Sequence, residues 1–227
     1  MRRRVHVGLT IGVMALAAAC GGGGAGTFPS TEHQLTAAEA DHARMVSMRI
    51  RLDDLGPNWR RVASRSKAPA KCEPHPAGVH ITAGGWKNPG VAFANGSLAS
   101  VESDAIVFAT PADAQSVLDD YTRPATVRCL ERQVRQQFHP RHGVSLLGIS
   151  TRMLERRPVA DAFDGYRLTA NMSKGKRIYQ VYADVFLVRQ DRALAAFTYV
   201  NAFTPAPANQ ENALARAVAD RGAALPA

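Results

Sequence analysis

The stretch RIYQVYADVFLVR (177–189), QDR (190–192), ALAAFTYVNAF (193–203) decides the fold. Two runs rich in β-branched and aromatic residues flank a three-residue polar break, and a link that short forces the runs to be antiparallel neighbours. Tyr179, Val181, Ala183, Val185 and Leu187 alternate onto one side of the first strand. Ala195, Phe197 and Tyr199 do the same on its partner, which predicts an apolar sheet face turned to a core.

Upstream, 143–151 and 162–171 have the same character, so the last third of the chain is expected to be mostly strand, closed by an alanine-rich helix over 209–224. Residues 103–109 read as another strand. Thr110-Pro111 then supplies an N-cap and a proline at the first helical position. Ala114, Val117, Leu118 and Tyr121 form one stripe of the helix that follows. A second helix is predicted from Pro124, with Val127, Leu130, Val134 and Phe138 on one side and Arg128, Arg132 and Arg135 on the other. Thr36 with Glu39 has the form of a capping box, so a helix is expected to about Met48, with Leu52 to Pro57 ending it or making a short second turn. Residues 67–90 are rich in Pro and Gly and read as loop, with a short strand at 79–82. Strands clustered after paired helices indicate an α+β class: one domain over 35–227, a curved antiparallel sheet with helices packed on one face.

The N-terminus reads as an address. Arg2, Arg3 and Arg4, an uncharged run from Val5, and Ala17-Ala18-Ala19 make a signal peptide over residues 1–19. The apolar run is shorter than the roughly 20 residues needed to span a bilayer. The residues after Arg3-Arg4 fit twin-arginine export poorly, so general secretion is expected. Leu16-Ala17-Ala18-Ala19-Cys20 resembles the lipobox of bacterial lipoproteins, with Leu16 one place earlier than the favoured position. That resemblance implies a diacylglycerol thioether, with acyl chains such as palmitate, on Cys20. Two acyl chains hold a protein on a membrane where one binds only reversibly. Residues 20–34 form the lipidated tether, in which GGGGAGTFPS (21–30) has an expected span on the order of 17 Å. No strand precedes these glycines and no Lys-Ser or Lys-Thr follows them, so they are not a phosphate loop.

Loss of Arg2, Arg3 and Arg4 with the signal lowers the formal charge from +9 to +6. No block of five basic residues occurs, and nucleic acid is excluded as a partner. The expected partners are the membrane, through lipid on Cys20, and an envelope lipid, glycan or protein. The Arg128, Arg132, Arg135 stripe is a solvated helix side, with contact to anionic polymers or lipid as the sharper reading. With Cys20 assigned to lipid, Cys72 and Cys129 are left as a pair in an oxidising compartment and are expected to be disulfide-bonded.

Catalytic chemistry finds little support. There is no Gly-x-Ser-x-Gly elbow, and the cysteines are better used in a bridge. His75 with His80 and His139 with His142 are surface loop histidines rather than metal ligands, so no metal and no cofactor is expected. Asp161 and Asp164 read as turn residues before a strand rather than an acid and base pair. Asp184 alternates with Tyr182 and Phe186. It is either a residue of the solvated sheet face or, if that face lines a cleft, a ligand contact together with Tyr182.

Leu55-Gly56-Pro57-Asn58-Trp59, Ser103 to Phe108 with its helix, Cys129-Leu130 and Tyr182 to Arg189 together resemble actinobacterial lipoproteins that carry a domain similar to the extracellular sensor of mycobacterial serine/threonine kinase H. The resemblance covers about Leu52 to Leu225 and implies an α+β fold with a ligand-binding cleft. The kinase sensor has two disulfides; this domain has cysteines for one. A second resemblance is to PsbP-like mycobacterial lipoproteins, also α+β. The expected function is a non-catalytic binding or sensing module held at the extracytoplasmic face of the cell membrane. The alternative is an envelope enzyme, hydrolase-like, whose site is assembled from residues distant in sequence.

Overall fold

Local signals and tertiary packing agree over most of the chain. Thr36 accepts the Glu39 N–H while the Glu39 carboxylate accepts the Thr36 N–H, closing the capping box that starts helix α1 (Ala37–Ser47). Thr110 accepts the Asp113 N–H and Pro111 stands in the first turn of α2 (Pro111–Thr122), which α3 (Pro124–Gln137) follows. Helix α4 (Ala208–Ala223) closes the chain. The computed structural model describes residues 35–64, 72, 77–84, 90–137, 143–155 and 158–224. The signal, Cys20, the tether, His75, His139, His142 and Phe138 lie outside the described residues.

Eight strands form one open antiparallel sheet: β1 (Arg60–Val62), β2 (Ile81–Ala83), β3 (Val91–Asn95), β4 (Ala99–Phe108), β5 (Val144–Met153), β6 (Ala162–Lys174), β7 (Arg177–Gln190) and β8 (Ala193–Ala202). Their spatial order is β1-β3-β4-β8-β7-β6-β5, with β2 pairing the far end of β4. The 177–203 stretch is the hairpin it was expected to be, with Asp191 in the left-handed region at its turn. Gly165 admits no side chain: a Cβ there would stand 2.5 Å from the Val185 carbonyl oxygen. The α+β class, the antiparallel sheet and the single domain are as expected; β1 and β3 come from segments without a strand signal strong enough to read.

The placement of the helices corrects the expectation that they cover one face. In β4, β7 and β8 adjacent residues join different cores. Val107, Phe186, Val188, Ala195 and Phe197 pack with Met45 and Met48 of the α1 segment and Leu214, Ala215 and Val218 of α4. Their neighbours Ile106, Phe108, Leu187 and Leu194 pack with Ala114, Val117 and Leu118 of α2. Successive strand side chains point to opposite sides, so α1 and α4 lie on one face and α2 on the other. A sheet with apolar residues at both parities needs cover on both sides. Of the face read as core from Tyr179 to Leu187, only Leu187 is fully buried.

Cys72 and Cys129 are disulfide-bonded, with Cα atoms 5.6 Å apart, tying α3 to the segment between β1 and β2. Val127 of α3 is buried and Leu130 half-buried, but Val134 is 43% exposed, so the predicted apolar side of this helix is only partly used. No helix among the described residues is long and apolar enough to cross a membrane.

Candidate functional site

The register of β6, β7 and β8 brings Arg167, Asp184 and Tyr199 into one row on the α4 face. Asp184 is 0% exposed and Arg167 7%. The guanidinium grips the carboxylate through two nitrogens, Nη2 donating to Oδ2 at 2.8 Å. Glu211, from the first turn of α4 and 1% exposed, places Oε1 3.6 Å from Arg167 Nη2. Two carboxylates therefore share one buried guanidinium, and the hydrogen bond that Arg167 donates to Asp184 leads the effects that raise the Arg167 pKa. Burial pushes the Tyr199 phenol up, and the Trp59 ring meets Tyr199 edge-on at 5.7 Å.

Asp184 is thus not on a solvated face: it is fully buried on the α4 side, and Arg167 occupies its carboxylate. Tyr182, one step nearer the strand start, is half-buried under the Arg167 guanidinium at 5.8 Å, and its hydroxyl donates to Gln180 Oε1. Arg167 escaped sequence reading because the sign of its role is nonlocal: a cation inside the apolar run of β6 signals a buried partner, but only the strand register names Asp184.

The other residues singled out do not join this row. Arg128, Arg132 and Arg135 are exposed on α3. Asp161 accepts the Asp191 N–H at 2.6 Å and faces Arg189 at 3.7 Å beside the β7–β8 turn, while Asp164 is exposed. His80 is exposed, with its backbone carbonyl accepting the Ala109 N–H. Among the described residues no group of three or more His, Cys, Asp or Glu is placed to hold a metal.

The opposite face differs in kind. Helix α2 packs against β4, β6, β7 and β8 at the end where Phe108 and Leu187 lie, and α3 returns along β5. Beyond α2 the sheet floor is apolar and only half-buried. Strand β7 contributes Val181 and Ala183, β6 Leu168 and Ala170, β8 Val200 and β5 Ile149, all joined by strand register. At the far end Tyr179 pairs with Met172, and the Phe203 ring lies 5.7 Å from Tyr179. Phe203 is 57% exposed and holds φ at 73°, a conformation costly for a bulky side chain. Scattered exposed apolar residues are ordinary on any protein, but a contiguous apolar sheet floor is a mark of an interaction surface. Of these residues the sequence singled out Tyr179, Val181 and Ala183 and assigned them to an apolar core face, since periodicity tells which residues share a face but not whether a helix lies over it.

No protein-family model matches the sequence, and no curated protein matches it significantly. Among solved structures, a similar chain is found. It is the extracellular domain of PknH from Mycobacterium tuberculosis, 8% identical in sequence, with a TM-score of 0.48 over 80% of this chain and 96% of that domain.

Proposed function

We propose that the chain is an exported, membrane-anchored, non-catalytic binding or sensing module of the cell envelope, and that the open apolar floor of β5–β8 is its ligand-facing surface. The observation that carries this reading is the contrast within β7: Phe186, Leu187 and Val188 are fully buried, whereas Val181 and Ala183, continuing the Leu187 side, are only half-buried. Burying apolar surface is worth about 25 cal/mol per Å², so a floor left open forgoes stability that a longer α2 could have supplied. A bound ligand would recover it. Asp184, the one carboxylate in this strand, is held by Arg167 beneath α4 and faces away from the floor.

A thermal-shift screen of the mature chain from residue 20, carrying Cys20→Ala, against envelope lipids, glycans and wall fragments tests the binding reading. A ligand at 100 times its Kd stabilises by about 2.7 kcal/mol, a shift of roughly 5–10 °C for a domain of this size. No shift across the panel overturns it. Anchoring is tested separately: Cys20→Ala in the full-length precursor abolishes palmitate labelling and releases the protein from membranes, and retention of both would contradict lipidation at Cys20.

A further inference from the structure

We infer that the open floor holds the acyl portion of one anionic membrane phospholipid, with its phosphate at the tip of the β6–β7 hairpin. The inference rests on the binding reading above and adds the chemistry of the occupant.

Three features stand in order along the floor. The first is the floor itself, which runs along β7 from Ala183 to the strand start at Arg177. At about 3.4 Å per residue this is roughly 20 Å, enough for an acyl chain spanning one leaflet of about 15 Å. Its side chains carry no charge until the tip.

The second is an aromatic collar. Tyr179 and the strained, exposed Phe203 face each other near the hairpin end, and the Phe203 N–H donates to the Gln180 carbonyl at 2.8 Å, which fixes the turn that presents the ring. Aromatic rings of this kind sit where acyl chains give way to headgroups.

The third is charge. Lys174, Lys176 and Arg177 are exposed at the tip, and Lys174 and Arg177 pair across the hairpin on the floor's own side. Residues 144–153, 165–183 and 193–203 contain no Asp or Glu, so the strands that build the floor offer these cations no counter-charge. An apolar floor, an aromatic collar and a cationic tip match, in sequence, the tail, interface and phosphate of an anionic amphiphile. A wall glycan would leave the floor unused, and a free phosphate would leave both floor and collar unused.

The test is calorimetric titration of the mature Cys20→Ala chain with dioctanoyl phosphatidylglycerol, dioctanoyl phosphatidylcholine and glycerol phosphate, each below its aggregation concentration. The expected result is binding of the anionic lipid at least tenfold tighter than the zwitterionic one and none of glycerol phosphate. Replacing Lys174, Lys176 and Arg177 together by Ser removes that preference while both lipids still bind; Val181→Asp abolishes both. Should Val181→Asp fail to fold, judged by circular dichroism, Phe203→Gly takes its place and weakens both lipids several-fold. Equal affinity for the two lipids, binding of glycerol phosphate alone, or self-association of the chain with no lipid bound overturns the inference. If a glycan or wall fragment stabilises the chain and the phospholipids do not, the lipid inference falls and the binding reading stands. If nothing binds, both fall.

Discussion

The two faces of this sheet are built from the same strands by opposite means. On the α1 and α4 side the charged residues act as staples. Arg192 grips Asp41 with two nitrogens, Arg44 meets Asp191 at 2.8 Å, and Arg221 reaches from α4 to Asp54 and to the Ser47 and Arg49 carbonyls. Arg167, Asp184 and Glu211 close that side from within. On the α2 side a small core of Phe108, Val117, Leu118 and Leu187 is finished at one end, and the rest of the floor stays apolar, half-open and free of acidic residues. Stability is concentrated on the first face and an unfinished apolar surface is left on the second. A protein whose only task was to fold would have no reason for the difference.

Each side can be broken separately. The largest effect is expected from Arg167→Ala, which takes the guanidinium off the buried Asp184 carboxylate: a loss of about 3–5 kcal/mol, read as a fall in the urea midpoint with an unchanged slope. A loss below 1 kcal/mol would mean that the α4 face does not depend on this group. Next comes the disulfide. Its partners are 57 residues apart in sequence, and the double variant Cys72→Ser, Cys129→Ser should cost about 4 kcal/mol by chain entropy. Thermal melts of the two forms would detect this as a drop of roughly 8–16 °C. Thr110→Ala removes the cap of α2 and should cost about 1 kcal/mol.

Two smaller effects sharpen the contrast. Val181→Ser on the open floor should change stability by less than about 1 kcal/mol, against about 2–5 kcal/mol for Leu118→Ala in the finished core of the same face. If Val181→Ser costs as much as Leu118→Ala, the floor is structural and not a binding surface. Acid sensitivity belongs to the stapled side. The hydrogen bond from Arg192 holds the Asp41 carboxyl below its ordinary value. A carboxyl depressed by folding contributes stability that is complete above its unfolded pKa near 4 and is lost as pH falls through the lower folded value. Asp41→Asn should therefore flatten the stability profile below about pH 4, measured by urea melts across pH.

Much of this architecture was legible from local signals. The capping box at Thr36, the Thr110-Pro111 start and the hairpin around Asp191 each announce themselves within a few residues, and the α+β class follows from their order. Strand β3 was hidden because VAFAN (91–95) is short and follows a Pro and Gly-rich segment that reads as loop. The helix layers were misplaced for a deeper reason. Alternation shows that Val181 and Leu187 share a side, but whether α2 covers one, both or neither depends on where a helix much earlier in the chain comes to rest. Asp184 failed in the same way: its parity was right, and its partner Arg167 became visible only with the register between β6 and β7. Cooperation between distant segments sets these features, and local pattern does not encode it.

The central claim is that the α2-side floor, and not the α4-side row, meets the ligand. Methyl-resolved NMR of the mature Cys20→Ala chain titrated with dioctanoyl phosphatidylglycerol tests it most directly. The account predicts shifts at Ile149, Leu168, Val181 and Val200, with the Val188, Leu214 and Val218 methyls unmoved. Shifts confined to the latter set, or no shifts at saturating lipid, would contradict it.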